Sequence, residues 1–585
     1  MRVLLTTLNS KFIHSALALR YLKSYCKNDG FDISIEEYTI NHDPDYVLGE
    51  IYKNRYGVVC FSCYIWNITM IHGIVRNLKK VKPNLIIVLG GPEVSYDPVQ
   101  IMEENQSIDY IISGEGERTF KELMGYIIDN KGKLEEIRGI AYRHHGNVLK
   151  NQERELIENL DEIPSPYNAA LKEYENRIIY YESSRGCPHN CSYCLSSTMK
   201  GVRFFSIERV KQDLQLFIKE RVKQVKFVDR TFNVKKKHSL EIMKYIAQHD
   251  NGYTNFHFEI TADLLDEEIL DFLSTVREGL FQFEVGVQTT YDKTMAAIER
   301  KVDFSILSKA VTQISSFRNI HLHLDLIAGL PYEDYERFKH SFDDVYLLKP
   351  EKLQLGFLKL LKGAGIRENA KSHGYIFRDE APYEVLASDY ISYEELLKLK
   401  TIEELVESYY NSHGFDHSLK FLLANHYNRP SDFYETLADY WEDHGYQHAA
   451  HNRTQLYEIL LQFYKGYKFP YYELFEEIMK FDFLLQGKAS LPNFFVHIET
   501  EDFKNRCHRF LQSEENVQKY LPVYESIPAK QMIKKVHFEC FSYDILEVID
   551  QPCTFYNEKK LTTILFDYDI EHKVFQKSKW FKIEL

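Results

Sequence analysis

The sequence predicts an α/β protein in three parts: an N-terminal doubly wound (Rossmann-like) parallel sheet, then a partial (β/α)6 barrel, then a mainly helical C-terminal domain. Three observations carry this. Short apolar runs alternate with amphipathic stretches over residues 1–135, the alternation resumes from Ile178 after an acidic, proline-bearing segment, and it gives way after about residue 375 to aromatic-rich stretches. A chain of 585 residues also exceeds what one hydrophobic core fills, so several cores are expected.

In residues 1–135 the expected strands are Val3–Leu5, Ile33–Glu36, Val58–Phe61, Leu85–Leu89 and Tyr110–Ile112, separated by helices such as His14–Tyr25 and Thr69–Lys80. Crossovers this short imply parallel strands with helices on both faces, and ligands at the carboxyl ends of the strands. Those ends carry Ser62-Cys63-Tyr64, Gly90-Gly91-Pro92-Glu93 and Gly114-Glu115-Gly116-Glu117. Gly90, Gly91 and Gly114 would let backbone approach a ligand, although glycine turns also simply connect elements. Residues 136–171, with a hairpin-like stretch at Gly139–Asn151, read as a linker.

Over residues 172–375 the expected strands are Ile178–Glu182, Val225–Val228, Phe256–Ile260, Phe281–Val285, Leu322–Ile327 and Leu353–Phe357, fewer than a full barrel requires. Residues 376–585 are expected to be helical at Tyr393–Asn411 and Asp432–Glu442, and the aromatic load there reads as core and interface filling. The formal net charge of −14 argues against binding to duplex DNA or an anionic membrane. No apolar run approaches the roughly 18 residues of a membrane span, and the N-terminus turns polar at Thr6, so a cytoplasmic protein is expected. Nine cysteines, an odd number at low density, suit reduced thiols better than a disulfide scaffold.

Three of those cysteines carry chemistry. Cys187, Cys191 and Cys194 stand at spacing CxxxCxxC directly after an expected strand. A short loop can turn three thiolates toward three corners of an iron-sulfur cube and leave the fourth iron open. Tyr193 could pack on a bound adenine. A Cys3His zinc site using His189 is the chemical rival, but zinc ligands usually come as paired knuckles a dozen or more residues apart. Cys60 and Cys63 follow a buried-looking strand and are expected to be structural or to lie near the cofactor bound by that sheet. Cys507, Cys540 and Cys553 are too widely spaced for a second cluster.

The cysteine loop resembles that of the radical S-adenosylmethionine (SAM) superfamily. Arg203-Phe-Phe-Ser206-Ile-Glu208, Phe227-Val-Asp229-Arg-Thr-Phe232, Glu284-Val-Gly286-Val-Gln288-Thr289 and Asp325-Leu-Ile-Ala-Gly329-Leu330-Pro331 follow in the order seen in the subgroup with an N-terminal cobalamin-binding domain. The resemblance covers roughly residues 1–370, and the last third resembles the uncharacterised DUF4080-like extension of one branch. It implies a 4Fe-4S cluster on the three cysteines, SAM and cobalamin as cofactors, and an electron donor such as flavodoxin or ferredoxin. It implies a reduced cluster that cleaves SAM to a 5′-deoxyadenosyl radical and, for most of the subgroup, methylation of an unactivated carbon or a phosphinate of an unknown substrate. Oxidation, cyclisation or rearrangement is the alternative, and a cobalamin or iron-sulfur sensor is the non-enzymatic one. Asp229, Glu284 and Gln288, at or near expected strand ends, are candidates for holding ribose hydroxyls or the methionine amino group, with helix capping as the plainer role. Two departures stand out. Glu259-Ile-Thr261-Ala has Thr261 where an arginine often lies, and the DxHxxG signature that would give cobalt a histidine is absent, so His14 reads as an early-helix residue.

Overall fold

In the first strand, Leu4 and Leu8 enter one apolar cluster with Ile71, Val75 and Leu78, while Val3 and Leu5 enter another with Leu19 and Phe120. Alternate residues of one strand thus feed two cores, which is the signature of a sheet covered by helices on both faces. The computed structural model describes residues 1–167, 171–198, 201–498, 501–552, 559–568 and 578–585. The chain divides into two units, Met1–Ile320 with Gly329–Asp334 and Phe357–Ser392, and His321–Ala328 with Tyr335–Gly356 and Tyr393–Leu585.

The first unit opens with β1 (Arg2–Asn9), β2 (Asp32–Thr39), β3 (Val58–Ser62), β4 (Ile86–Gly90) and β5 (Tyr110–Ile112), all parallel, in the order β2-β1-β3-β4-β5. Helix Ile68–Val81 buries Ile71, Ile74, Val75 and Leu78 at helical spacing, so one stripe faces the sheet. Helix Pro44–Lys53 starts where the Asp43 carboxylate accepts from Asp45 N at 2.7 Å and proline occupies the first turn. The hairpin expected in the linker instead extends this sheet: β6 (Ile140–His144) pairs antiparallel with β5, and β7 (Asn147–Lys150) with β6. Its apolar residues Ile140 and Ala141 are buried, and the hairpin covers the β5 edge, leaving β7 as the edge of the sheet.

A second parallel sheet of this unit contains β8 (Ile179–Tyr181), β11 (Gln224–Phe227), β12 (Asn255–Ile260) and β13 (Phe281–Gln288). Between β8 and β11 lies a short antiparallel ribbon of β9 (Ser184–Gly186) and β10 (Val202–Phe204). Along β13 burial alternates at every residue: Phe281, Phe283, Val285 and Val287 are buried, and Gln282, Glu284, Gly286 and Gln288 point to the other, more open face. β13 runs to Gln288, so Glu284 lies mid-strand instead of near its end.

The second unit contributes β14 (His321–Ala328) and β15 (Lys352–Phe357), which complete the count of six βα strands. Its helices Tyr393–Leu405, continued by a π turn over Val406–Tyr410, and Pro430–Asp443 match expectation. Trp441, Tyr409, Tyr434, Tyr457 and Tyr464 are fully buried, so these aromatics are core. The unit is less purely helical than expected, because β18 (Val536–Phe541), β19 (Thr562–Asp567) and β20 (Lys579–Ile583) form an antiparallel sheet, after a small hairpin of β16 (Ile376–Phe377) and β17 (Val385–Ala387) in the first unit. The boundary expected at residues 375/376 falls inside the first unit, which keeps the chain through Ser392. Among the described residues no helix is long and apolar enough to cross a membrane.

Candidate active site

The three thiols project from the loop that the β9–β10 ribbon brackets. Gly186 closes it: φ is +103°, and a Cβ there would come within 2.0 Å of the Gly201 carbonyl oxygen. Ahead of the loop, Ser183 and Ser184 are held by Asp229, which is 1% exposed. Its carboxylate accepts from Ser183 N at 2.9 Å, from Ser183 Oγ at 2.8 Å and from Ser184 Oγ. Burial pushes this carboxyl up, and the bonds from Ser184 and Ser183 pull it back. Both oxygens are thereby committed to the entry of the loop, an anchoring role that the ligand reading of Asp229 did not foresee.

On its far side the loop is held by backbone. Ser192 N donates to Ile298 O at 3.0 Å, and Ile366 N donates to Ser192 O at 2.9 Å. Cys187 Sγ lies 3.8 Å from Thr231 Oγ1, and Ser196 N–H donates to Cys194 Sγ at 3.4 Å. Arg300 donates from Nη1 to Cys191 Sγ at 3.6 Å and from Nη2 to Gly286 O. Burial pushes up the Cys187 thiol and the Tyr193 phenol, the latter beside Arg300, Cys191 and Cys194.

Whether these residues suit a cluster and SAM can be judged from what they leave unsatisfied. His189 Nε2, Asp263 Oδ1 and Arg300 Nε are buried without hydrogen-bond partners, and the three side chains are electrostatic neighbours of one another. Orphaned polar atoms gathered beside three thiols mark a site built for a polar group, since buried polar atoms are otherwise paired. Among the described residues no three His, Cys, Asp or Glu side chains are gathered around a single ion position. An iron-sulfur cube needs one thiolate at each of three corners, and a single loop can supply that. Of the other cysteines, Cys26, Cys60, Cys63, Cys507 and Cys540 are buried, and Cys553 lies outside the described residues.

The open face of the second sheet is charged. Glu284 receives Lys226 Nζ at 2.9 Å and His257 Nε2 at 3.0 Å. Burial pushes its carboxyl up, but His257 and Lys226 outweigh burial and hold it down at about 2. Directly opposite in register stands Glu259. Burial, with Glu284 alongside, pushes that carboxyl up to about 7, against the opposing pull of Arg230 and Lys226. Gln288 ends the strand at φ +72°, and a Cβ on Gly286 would lie 2.2 Å from Gln288 Nε2, so the glycine makes room for that amide. Sequence reasoning passed over Lys226, His257 and Arg300 as site residues. A signal existed for the first two, as polar residues at alternate positions of otherwise apolar strands; Arg300 sits in a turn and had none.

At the carboxyl ends of the first sheet, Gly91 takes φ +106° and a Cβ would meet Cys63 O at 2.6 Å, so the β3 and β4 loops touch through it. Gly114, at φ +76°, has nothing within 4 Å of its would-be Cβ, whereas Gly90 meets Ile112 O at an ordinary 3.6 Å. Tyr64 and Trp66 stack at 4.5 Å beside these glycines' loops. Glu93 is buried and accepts from Tyr383 Oη at 2.9 Å, which ties the Phe357–Ser392 segment to this edge. His14 precedes the helix that starts at Leu17, and its Nδ1 lies 2.6 Å from Tyr180 Oη on β8.

Comparison with known families matches residues 3–124 to the B12 binding domain, residues 181–345 to the radical SAM superfamily and residues 371–566 to a protein family of unknown function, DUF4080. The chain is 25% identical over 337 residues to 2-(S-pantetheinyl)-carbapenam-3-carboxylate methyltransferase of Streptantibioticus cattleyicolor, covering 55% of this chain and 49% of that one. It is 26% identical over 276 residues to the anaerobic magnesium-protoporphyrin IX monomethyl ester cyclase of a Synechocystis species, covering 45% and 52%. The chain thus spans about half the length of the curated relatives it matches. In fold it is similar to the cobalamin-dependent SAM radical enzyme OxsB, with a TM-score of 0.59 at 15% identity over 83% of this chain and 78% of that one.

Proposed function

Because the chain belongs to the radical SAM superfamily, with a B12-binding domain ahead of the radical SAM domain and a DUF4080 domain behind it, we propose that it is a cobalamin-binding radical SAM enzyme that methylates an unactivated carbon of its substrate. The observation that carries this reading is the loop of Cys187, Cys191 and Cys194 set beside the orphaned atoms of His189, Asp263 and Arg300. When bound, the cluster and SAM supply an organic radical that can take hydrogen from an inert carbon, and cobalamin supplies a methyl carrier.

The chain's own residues position and enclose. Cys187, Cys191 and Cys194 would hold three irons, and Asp229 fixes the approach to them through Ser183 and Ser184. Tyr193, half-buried next to the cysteines, would pack on an adenine. Glu284 is neutralised by Lys226 and His257, so in this reading it orients through that network and Gln288 offers the free amide at the strand end. Glu259, poised near neutrality, can hold a proton at its carboxyl on the open face of the sheet. Gly90, Gly91 and Gly114 shape the edge at which a corrin would lie, with cobalt left without a protein histidine in keeping with the absent DxHxxG signature, while His14 Nδ1 is engaged by Tyr180. The substrate is small or peptidic in preference to RNA, given the acidic balance, and the reductant is a flavodoxin or ferredoxin.

A cyclase among the relatives supports a second reading, non-methylating radical chemistry. Incubation of anaerobically reconstituted protein with SAM and a reductant separates the two. Methyl transfer yields S-adenosylhomocysteine alongside 5′-deoxyadenosine, whereas other radical chemistry yields 5′-deoxyadenosine without it. Absence of both products from protein carrying a full cluster would defeat either reading.

A further inference from the structure

The loop of three cysteines carries one cation whose role the cofactors alone do not explain. Arg300 reaches Cys191 Sγ with Nη1 and the β13 carbonyl of Gly286 with Nη2, so its planar fork spans the cluster loop and a barrel strand. Its backbone neighbourhood is fixed to the same loop, because Ile298 O accepts from Ser192 N at 3.0 Å, one residue past Cys191. At Gly286 a Cβ would lie 3.4 Å from Arg300 Nη2, about ordinary contact, and would collide with Gln288 Nε2 at 2.2 Å. Burial disfavours the guanidinium charge, yet Tyr193, Cys191 and Asp263 around it more than compensate. The remaining nitrogen, Nε, is buried and unpartnered. The cation comes from the turn after helix Asp292–Ala297.

We propose that Arg300 is a positioning residue that sets the reduction potential of the cluster, by donating a charge-assisted hydrogen bond to the Cys191 sulfur while Gly286 O fixes the angle of its fork. The inference rests on the reading of Cys187, Cys191 and Cys194 as cluster ligands. A buried cation hydrogen-bonded to a ligating sulfur favours the state with one more electron, so it raises the potential and eases reduction. A hydrogen bond from a charged donor is roughly twice as strong as a neutral one, and lysine cannot reproduce a fork that serves two acceptors.

The test is a redox titration of the reconstituted full chain without SAM, followed by electron paramagnetic resonance, for the natural protein, Arg300→Gln and Arg300→Lys. Iron and sulfide are measured on each. Arg300→Gln is expected to shift the midpoint to more negative potential at undiminished iron content, with Arg300→Lys between it and the natural protein. A midpoint unmoved in both variants at full iron content overturns the proposal. An unmoved midpoint with SAM affinity reduced tenfold or more also overturns it, and makes Arg300 a SAM-holding group. Should Arg300→Gln lose iron, the lysine variant decides the matter through its own midpoint. Absence of a cluster from the natural protein would instead defeat the ligand reading of the three cysteines, an outcome that iron analysis separates from the others.

Discussion

Replacing Asp229 by alanine should loosen the cysteine loop from its base without touching a cysteine. The carboxylate accepts one backbone N–H and two hydroxyls, all buried. The Ser183 N–H cannot turn elsewhere, and a buried donor left unpaired costs about 1–3 kcal/mol. The two hydroxyls can reorient, so each forfeits about the net value of a hydrogen bond, roughly 0.5–1.5 kcal/mol. The sum is about 2–6 kcal/mol, enough to place Asp229→Ala among the large destabilisations. Asp229→Asn keeps one acceptor oxygen and should lose about half as much. The assay is the urea midpoint by circular dichroism, with the rate of proteolytic cleavage within residues 187–201 and the iron retained after reconstitution. Asp229→Ala is expected to lower the midpoint, speed cleavage and hold less iron. A variant with an unchanged midpoint, full iron and SAM affinity weakened tenfold would refute the anchoring argument and return Asp229 to the role of a cofactor ligand.

The paired carboxylates should leave opposite marks on stability against pH. Glu259 has a folded pKa of about 7, above its ordinary 4.5, so its contribution is full below about pH 4.5 and is lost as pH rises through about 7. Glu259→Gln should remove that loss, at most about 3 kcal/mol by the 1.36 kcal/mol per unit of linkage, and melting curves of the two proteins that stay parallel from pH 5 to 8 would count against it. Glu284, held at about 2, contributes above pH 4.5 and loses its contribution as pH falls toward 2, so Glu284→Gln should blunt acid unfolding in the same scan. Gly91→Ala, with its Cβ driven against Cys63 O, should destabilise the N-terminal domain by about 2 kcal/mol or more, while Gly114→Ala, facing open space, should lose only the roughly 1–2 kcal/mol of a left-handed residue. Thermal melting together with hydroxocobalamin retention checks both, and equal effects would mean that the Gly91 contact is not binding the two loops. Serine at Cys60 and Cys63 together should leave iron content unchanged, since both thiols are buried in the first sheet.

Strand positions were legible because period and apolar runs report them directly: all eleven expected βα strands appear, and Tyr110–Ile112 appears with the same bounds. Ends were less so. β13 continues through Gly286 to Gln288 because a polar residue on the open face of a barrel strand looks, in sequence, like a turn. The Ile140–Lys150 hairpin was visible as a hairpin, but which sheet it joins depends on an edge that no local pattern encodes. The terminal antiparallel sheet escaped notice because its strands, such as Val536–Phe541, are few and far apart in sequence among helices. At the candidate site, the cysteine spacing already puts the three thiols on one loop, which the β9–β10 ribbon brackets. The anchoring of Asp229, the reach of Arg300 and the pairing of Glu259 with Glu284 are tertiary facts, fixed by register and by the fold of the loop, which no local pattern encodes.

The most direct test is the metal and corrin content of anaerobically reconstituted protein, read with its absorbance spectrum. The account predicts about four irons and matching sulfide per chain, one bound corrin, and loss of the iron alone when Cys187, Cys191 and Cys194 are all replaced by alanine. Zinc at full occupancy in the natural protein, or iron that survives the triple replacement, would contradict it.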